Sequence, residues 1–181
     1  AGNILGTAQS GHIVNVGFDL YCQLLQQAID KLKGGKRGWA QREALVRCDF
    51  VAVNEAEYLQ NPSELVPAFI PADYVSQPQM RIQAYKKLAQ VTSKDQLDQL
   101  GKEWRDRYGP HPPALHNLLL LNEIKLAAAH RKIVRVEVKE NKVMLTRGGD
   151  YILIGNRFPR LTSADRQNSL ADLLCLLSRL S

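Results

Sequence analysis

The hydrophobic period of this chain switches near Ile133, and that switch limits the fold to a few architectures. Upstream, apolar residues recur at helical spacing. Downstream, Ile133 to Lys139 alternates Val134, Val136 and Val138 with Arg135, Glu137 and Lys139. A period of two puts apolar side chains on one face of a strand, whereas the helical period puts them on one side of a helix. Glu140-Asn141-Lys142 then reads as a turn, Val143 to Arg147 as a second strand, Gly148-Gly149-Asp150 as another turn and Tyr151 to Ile154 as a third strand. The three make an antiparallel meander with one polar face. Helices and strands are segregated rather than alternating, so the expected class is α+β, with helices packed on a small antiparallel sheet.

Three helices precede the switch, each with a start signal. Ser76-Gln77-Pro78-Gln79 fits a capping box with proline in the first turn, and the helix runs to about Val91. Ser93-Lys94-Asp95-Gln96 is a second capping box, followed by the stripe Leu97, Leu100, Trp104 and Tyr108, with Gly109-Pro110 as the stop. Pro112-Pro113 open a third helix to about Arg131, apolar nearly all round in its first half and therefore expected to be central. A last helix is expected from about Ser169 to Leu180, with Asp172 in its first turn.

Towards the N-terminus, Val14 to Lys33 reads as one amphipathic linking helix through Phe18, Tyr21, Leu25, Ala28, Ile29 and Leu32. Lys33-Gly34-Gly35-Lys36-Arg37-Gly38 is a flexible basic linker and divides the chain into residues 1–38 and 39–181. Leu45 to Val53 reads as a strand, Asn54 to Leu65 as a surface excursion, and Val66 to Ile70 as a short strand held near an edge by Pro67.

The charge of +6 is unevenly spread: from His111 onward eleven Lys/Arg stand against six Asp/Glu. The plainer reading of that third of the chain is a solvated basic surface, and the alternative is a nucleic-acid contact through Arg131, Lys132, Arg135, Lys139 and Lys142. Cys22, Cys48 and Cys175 lack paired spacing, which points to a reducing cytoplasm and away from zinc or disulfides. Cys22 and Cys175 fall in helical apolar patterns and are expected in the core. No apolar run approaches the roughly 20 residues that span a bilayer, so no membrane partner is expected.

Several chemistries lack their motif. There is no phosphate-binding G-x-x-x-x-G-K-[ST] loop; Gly34-Gly35-Lys36 follows a helix and has no Ser or Thr after the lysine. His12, His111, His116 and His130 have no helical pair spacing, so no metal is expected. No nucleophile elbow is present, and the fragment is expected to be neither an enzyme nor a binder of ATP or magnesium.

Ordered segments carry a resemblance. Gly2, Leu5, Gly6, Gln9, Ser10 and Gly11 match G-x-x-L-G-x-x-Q-S-G, which resembles the segment after the last helicase motif in RecG-type helicases and bacterial transcription-repair coupling factors. Val16-Gly17-Phe18-Asp19-Leu20-Tyr21 with Leu24-Leu25 resembles a helix of the coupling factors alone. Phe69 to Val75, Arg81-Ile82 with Tyr85 and Leu88-Ala89, and Glu103 to Pro110 follow in the same order as in that family. Asn54 to Leu65 is longer than the family's link, and Trp104 stands where an aliphatic residue is usual.

The resemblance implies a piece of a larger protein: the tail of a translocase motor over residues 1–38, then a non-catalytic regulatory domain. ATP and magnesium would belong to the parent motor. It implies that the domain packs on a UvrB-like N-terminal module of the same chain, covers the surface on which UvrA docks, and restrains the motor until RNA polymerase stalled on double-stranded DNA is engaged. By the same resemblance, Glu103 and Asp106 pair with arginines of that module. The helix pattern alone leaves these acids solvated or paired with Arg107.

Overall fold

The computed structural model describes residues 44–180. The linking helix, the basic linker, the boundary at residue 38 and the glycine segment from Gly2 to Gly11 lie outside them. The described elements are β1 (Leu45–Cys48), β2 (Val51–Ala52), α1 (Glu55–Gln60), β3 (Val66–Pro67), α2 (Pro78–Ala89), α3 (Lys94–Tyr108), α4 (Pro113–His130), β4 (Ile133–Lys139), β5 (Lys142–Arg147), β6 (Asp150–Tyr151) and α5 (Ser169–Ser178), the last preceded by a 3-10 turn. The class is α+β, as expected.

The sheet is mixed rather than purely antiparallel. Its order is β1-β4-β5-β6, with β4, β5 and β6 forming the expected meander and β1 lying parallel to β4, Val46 opposite Val136. The single strand expected over 45–53 is broken at Asp49-Phe50. Beyond the break, β2 leaves the main sheet and pairs in parallel with β3. Asp49 anchors the break: its carboxylate accepts the Glu140 amide at 2.6 Å, tying the end of β1 to the β4–β5 turn.

Two further departures are local. The register shifts between Ile133 and Arg135, so Ile133, Val136 and Val138 face the core while Val134 stays 53% exposed. An extra residue in one strand of a pair has this effect, turning the side chains before it over. The expected strand to Ile154 shortens to β6, because Gly155 and Asn156 take positive φ and turn the chain back. The returning segment then bonds to the β5 end, with Val143 N–H donating to Pro159 O and Leu161 N–H to Asn141 O.

The core lies between the inner sheet face and the helices. Val46, Val136, Val138, Val143 and Leu145 meet α4, whose Leu115, Leu118, Leu121 and Ile124 are buried, and α5, whose Leu170, Leu173 and Leu177 are fully buried. α4 is therefore the central helix, touching β1, β3, β4, α3 and α5. Cys175 is exposed, contrary to expectation. Its neighbours at positions 170, 173 and 177 take the inward side of α5, and residue 175 falls on the opposite side. Of the two described thiols Cys48 is the one turned inwards, and burial pushes its pKa up to about 12.

Helix starts follow the sequence with one exception. Ser93 Oγ accepts the Gln96 amide, and Gln96 Oε1 returns to the Thr92 amide at 2.8 Å, a capping box shifted back by one residue. At α2, Pro78 occupies the first turn, so Gln77 takes the cap position and caps nothing with its side chain. Ser76 thus lies outside the helix rather than capping it. Asn54 to Leu65 is a surface excursion that also contains α1, capped by Asn54.

Candidate partner-binding face

α3 presents two opposite faces. Leu97, Leu100, Gly101 and Trp104 are buried against the core. Glu103 and Asp106, one turn apart, project into solvent from the other side. The outward face is held rigidly, because α3 is pinned at both ends. Ser93 caps its start, and at its end the Tyr74 hydroxyl lies 3.0 Å from Trp104 O and 2.9 Å from Gly109 O, sharing its proton between them. Gly109 adopts φ +92°, a conformation that suits glycine, and stops the helix there.

Glu103 and Asp106 differ in their surroundings. Glu103 forms an ion pair with Lys87 of α2, not with Arg107. Arg107 instead lies over the Tyr108 ring at 5.2 Å. Among the described residues, the Asp106 carboxylate has no hydrogen bond or ion pair. The Lys87–Glu103 pair is nearly half exposed on both sides, so it contributes about 0–1 kcal/mol. One carboxylate of the pair is thus open and the other is held by a readily exchanged lysine.

Arg81 and Tyr85, which share a face of α2, are buried and structural. The Arg81 guanidinium donates through Nη1 to Val75 O at 2.6 Å and Ser76 O at 3.1 Å, and the Tyr85 hydroxyl accepts the Ile70 amide at 2.9 Å. These bonds fold the 70–76 segment onto α2. Burial raises the Tyr85 pKa to about 12.

On the other flank of α3, Arg105, His111 and His116 line an open cleft. His111 Nε2 bonds Gly101 O at 2.8 Å, and the ring packs close over the glycine, where an added Cβ would stand 3.4 Å from its Cε1. Desolvation lowers the His111 pKa below its usual value, against the Gly101 carbonyl, which raises it; Arg105 and His116 lower it further. The unfolded chain therefore takes up a proton at higher pH than the folded one. Stability linked to His111 is present above about pH 6.5 and is lost as pH falls through the lower folded value. His111→Gln should accordingly flatten the fall in thermal midpoint between about pH 7.5 and 5; an unchanged profile would assign the pH dependence elsewhere.

The basic residues of the C-terminal third do not form one cluster. The Arg131 guanidinium donates to Leu180 O at 3.0 Å and Ala127 O at 3.1 Å, tying the ends of α4 and α5 together. Lys132 sits at the α4–β4 turn with φ +59°. Arg135, Lys139 and Lys142 share the outer sheet face, and the returning segment brings Arg160, distant in sequence, beside Lys142. No group of three His, Cys, Asp or Glu residues suited to a metal occurs among the described residues, and no helix among them is long and apolar enough to cross a membrane.

Comparison with known proteins agrees with this architecture. Residues 65–150 match the TRCF domain model. The chain is 37% identical over 138 residues to the transcription-repair-coupling factor of Haemophilus influenzae, covering 76% of this chain and 11% of the relative. It is 30% identical over 166 residues to that of Myxococcus xanthus, covering 92% and 12%. The chain thus spans about a tenth of the length of these relatives. A crystal structure of the C-terminal domain of a transcription-repair coupling factor superposes with a TM-score of 0.55 at 18% identity, covering 76% of this chain and 92% of that one. Through residues 65–150 the chain belongs to the TRCF domain family of the transcription-repair-coupling factors.

Proposed function

We propose that this chain is the non-catalytic regulatory end of a DNA-translocating transcription-repair coupling factor. The outward face of α3 grips a UvrB-like module elsewhere in the parent protein, covers the UvrA-docking surface, and restrains the motor until stalled RNA polymerase is engaged. Nucleotide and magnesium act in the motor, and residues 1–38 contribute the tail of its translocation motif.

The observation that carries this reading is the pair of carboxylates on a helix fixed from behind. A buried Trp104 and the Tyr74 bonds hold the backbone, so Glu103 and Asp106 meet a partner with only their side chains left to order. Arginine forks suit such a pair, being bidentate and directional. Exchanging Lys87 for a partner arginine gives up about 0–1 kcal/mol, which makes the contact reversible.

Titration calorimetry against the separately expressed UvrB-like module tests this. Glu103→Ala with Asp106→Ala should weaken binding at least about tenfold while the helical circular dichroism stays unchanged. Lys87→Ala should bind as well as the parent or better, since it frees Glu103. Equal binding by the double variant, or loss of its helical signal, would contradict the proposal.

A further inference from the structure

Among the described residues, the four-stranded sheet packs helices on its inner face. On the outer face, Lys139, Lys142 and Arg160 stand side by side across β4, β5 and the returning segment. Arg47 and Arg135 lie one and two rows further along. Glu137 is the acid within those rows, 3.7 Å from Arg135, and at the near end the Asp49 carboxylate is engaged by the Glu140 amide. Like charges directly opposite each other in a sheet are unfavourable. Lys139 faces Lys142 and Lys142 faces Arg160, none of the three forms an ion pair among the described residues, and a bound polyanion relieves the repulsion.

Aromatic rings flank this row. Lys142 Nζ lies 4.4 Å from the Phe158 ring centroid, and Phe158 meets Tyr151 edge-on at 5.2 Å. Tyr151 is 55% exposed on the same outer face, opposite Thr146. We propose that this face binds single-stranded nucleic acid, its phosphates along the Lys139, Lys142 and Arg160 row and a base stacked on Tyr151. A duplex keeps its bases stacked on one another and leaves the ring unused. An acidic peptide matches the charges but has no flat surface to place on Tyr151. A single strand uses both features, since stacking on aromatic rings and a basic track for the backbone are its two means of attachment. The face lies on a different element from Glu103 and Asp106, so the proposal stands apart from the α3 contact.

The test is fluorescence anisotropy of a labelled thymidine oligomer of about 20 nucleotides, titrated with the 181-residue chain over a range of salt. Each lost phosphate contact should make the slope of log affinity against log salt shallower by about 0.7. Lys139→Gln, Lys142→Gln and Arg160→Gln together should therefore make it shallower by about 2. Tyr151→Ala should weaken binding about tenfold or more. A variant carrying Lys86→Gln, Lys102→Gln and Arg107→Gln, which removes the same charge from the helical side, should bind as the parent does. Should the triple sheet variant fail to fold, the exposed Tyr151 keeps the test decisive. Absence of binding at about 50 mM salt overturns the proposal. So does a Tyr151→Ala variant that binds as before, or a polyglutamate that competes as well as the oligomer and marks an acidic protein as the occupant.

Discussion

Replacing Trp104 by alanine should cost about 3–5 kcal/mol of stability, the largest loss expected from a single change in this domain. The indole is 3% exposed and sits in the main hydrophobic cluster, where its removal leaves a cavity that neighbouring side chains refill only in part. For a chain of this length the thermal midpoint should fall by roughly 6–20 °C, followed by circular dichroism. Trp104→Leu should recover part of the loss, because it fills part of the same space. The change also reaches the surface: α3 carries Trp104 inward and Glu103 and Asp106 outward, so a loosened helix no longer presents the two acids in fixed positions. A loss below about 1 kcal/mol would show that the indole is not the packing anchor.

Arg81→Met should be the second most damaging change, at about 3 kcal/mol, although it keeps the length and apolar stem of the side chain. Arg81 is 7% exposed, and its guanidinium supplies the hydrogen bonds to Val75 O and Ser76 O. Methionine leaves both carbonyls without that partner, and bonds to charged donors contribute about 1.5–3 kcal/mol each. Arg81→Lys should not restore stability fully, since a single ammonium lacks the guanidinium geometry. Urea unfolding should show a lower midpoint with an unchanged slope, the signature of lost stability rather than altered compactness. Rapid proteolysis within residues 71–77 of the variant should accompany it. An unmoved midpoint would make Arg81 a surface residue in energetic terms.

What the sequence made legible was local. The second capping box, the stripe through Trp104 and the Gly109 stop all depend on residues within one helix, and each is present. The three-strand meander was equally readable, because its turns are short. Pairing between distant segments was not. Nothing near Leu45 signals that it will lie beside Arg135, and the break at Asp49-Phe50 depends on a turn amide of residue 140. The exposed Val134 follows from a register shift between two strands, which alternation within one strand cannot reveal. At the candidate site, the shared face of Glu103 and Asp106 follows from helical spacing. The ion pair with Lys87 requires the packing of α2 beside α3 and was hidden. Arg131 shows the same limit: as a charge in a list it joins a basic stretch, whereas in the fold it binds the carbonyl ends of two helices.

The parallel pairing of β1 with β4 also sets a timetable. Leu45 faces Arg135, so the first strand leaves the ribosome about ninety residues before its partner exists. At typical synthesis rates that interval is roughly 5–18 s, during which β1 waits for its β4 partner. The β4–β5 hairpin, by contrast, closes within microseconds of its synthesis. Of the described strands, the earliest to be made is thus among the last to settle, and it takes the edge beside β4 in the order β1-β4-β5-β6. A truncated product ending before Ile133 lacks the β4 partner and carries that strand bare, and a proteolytic system would find it by that exposed edge.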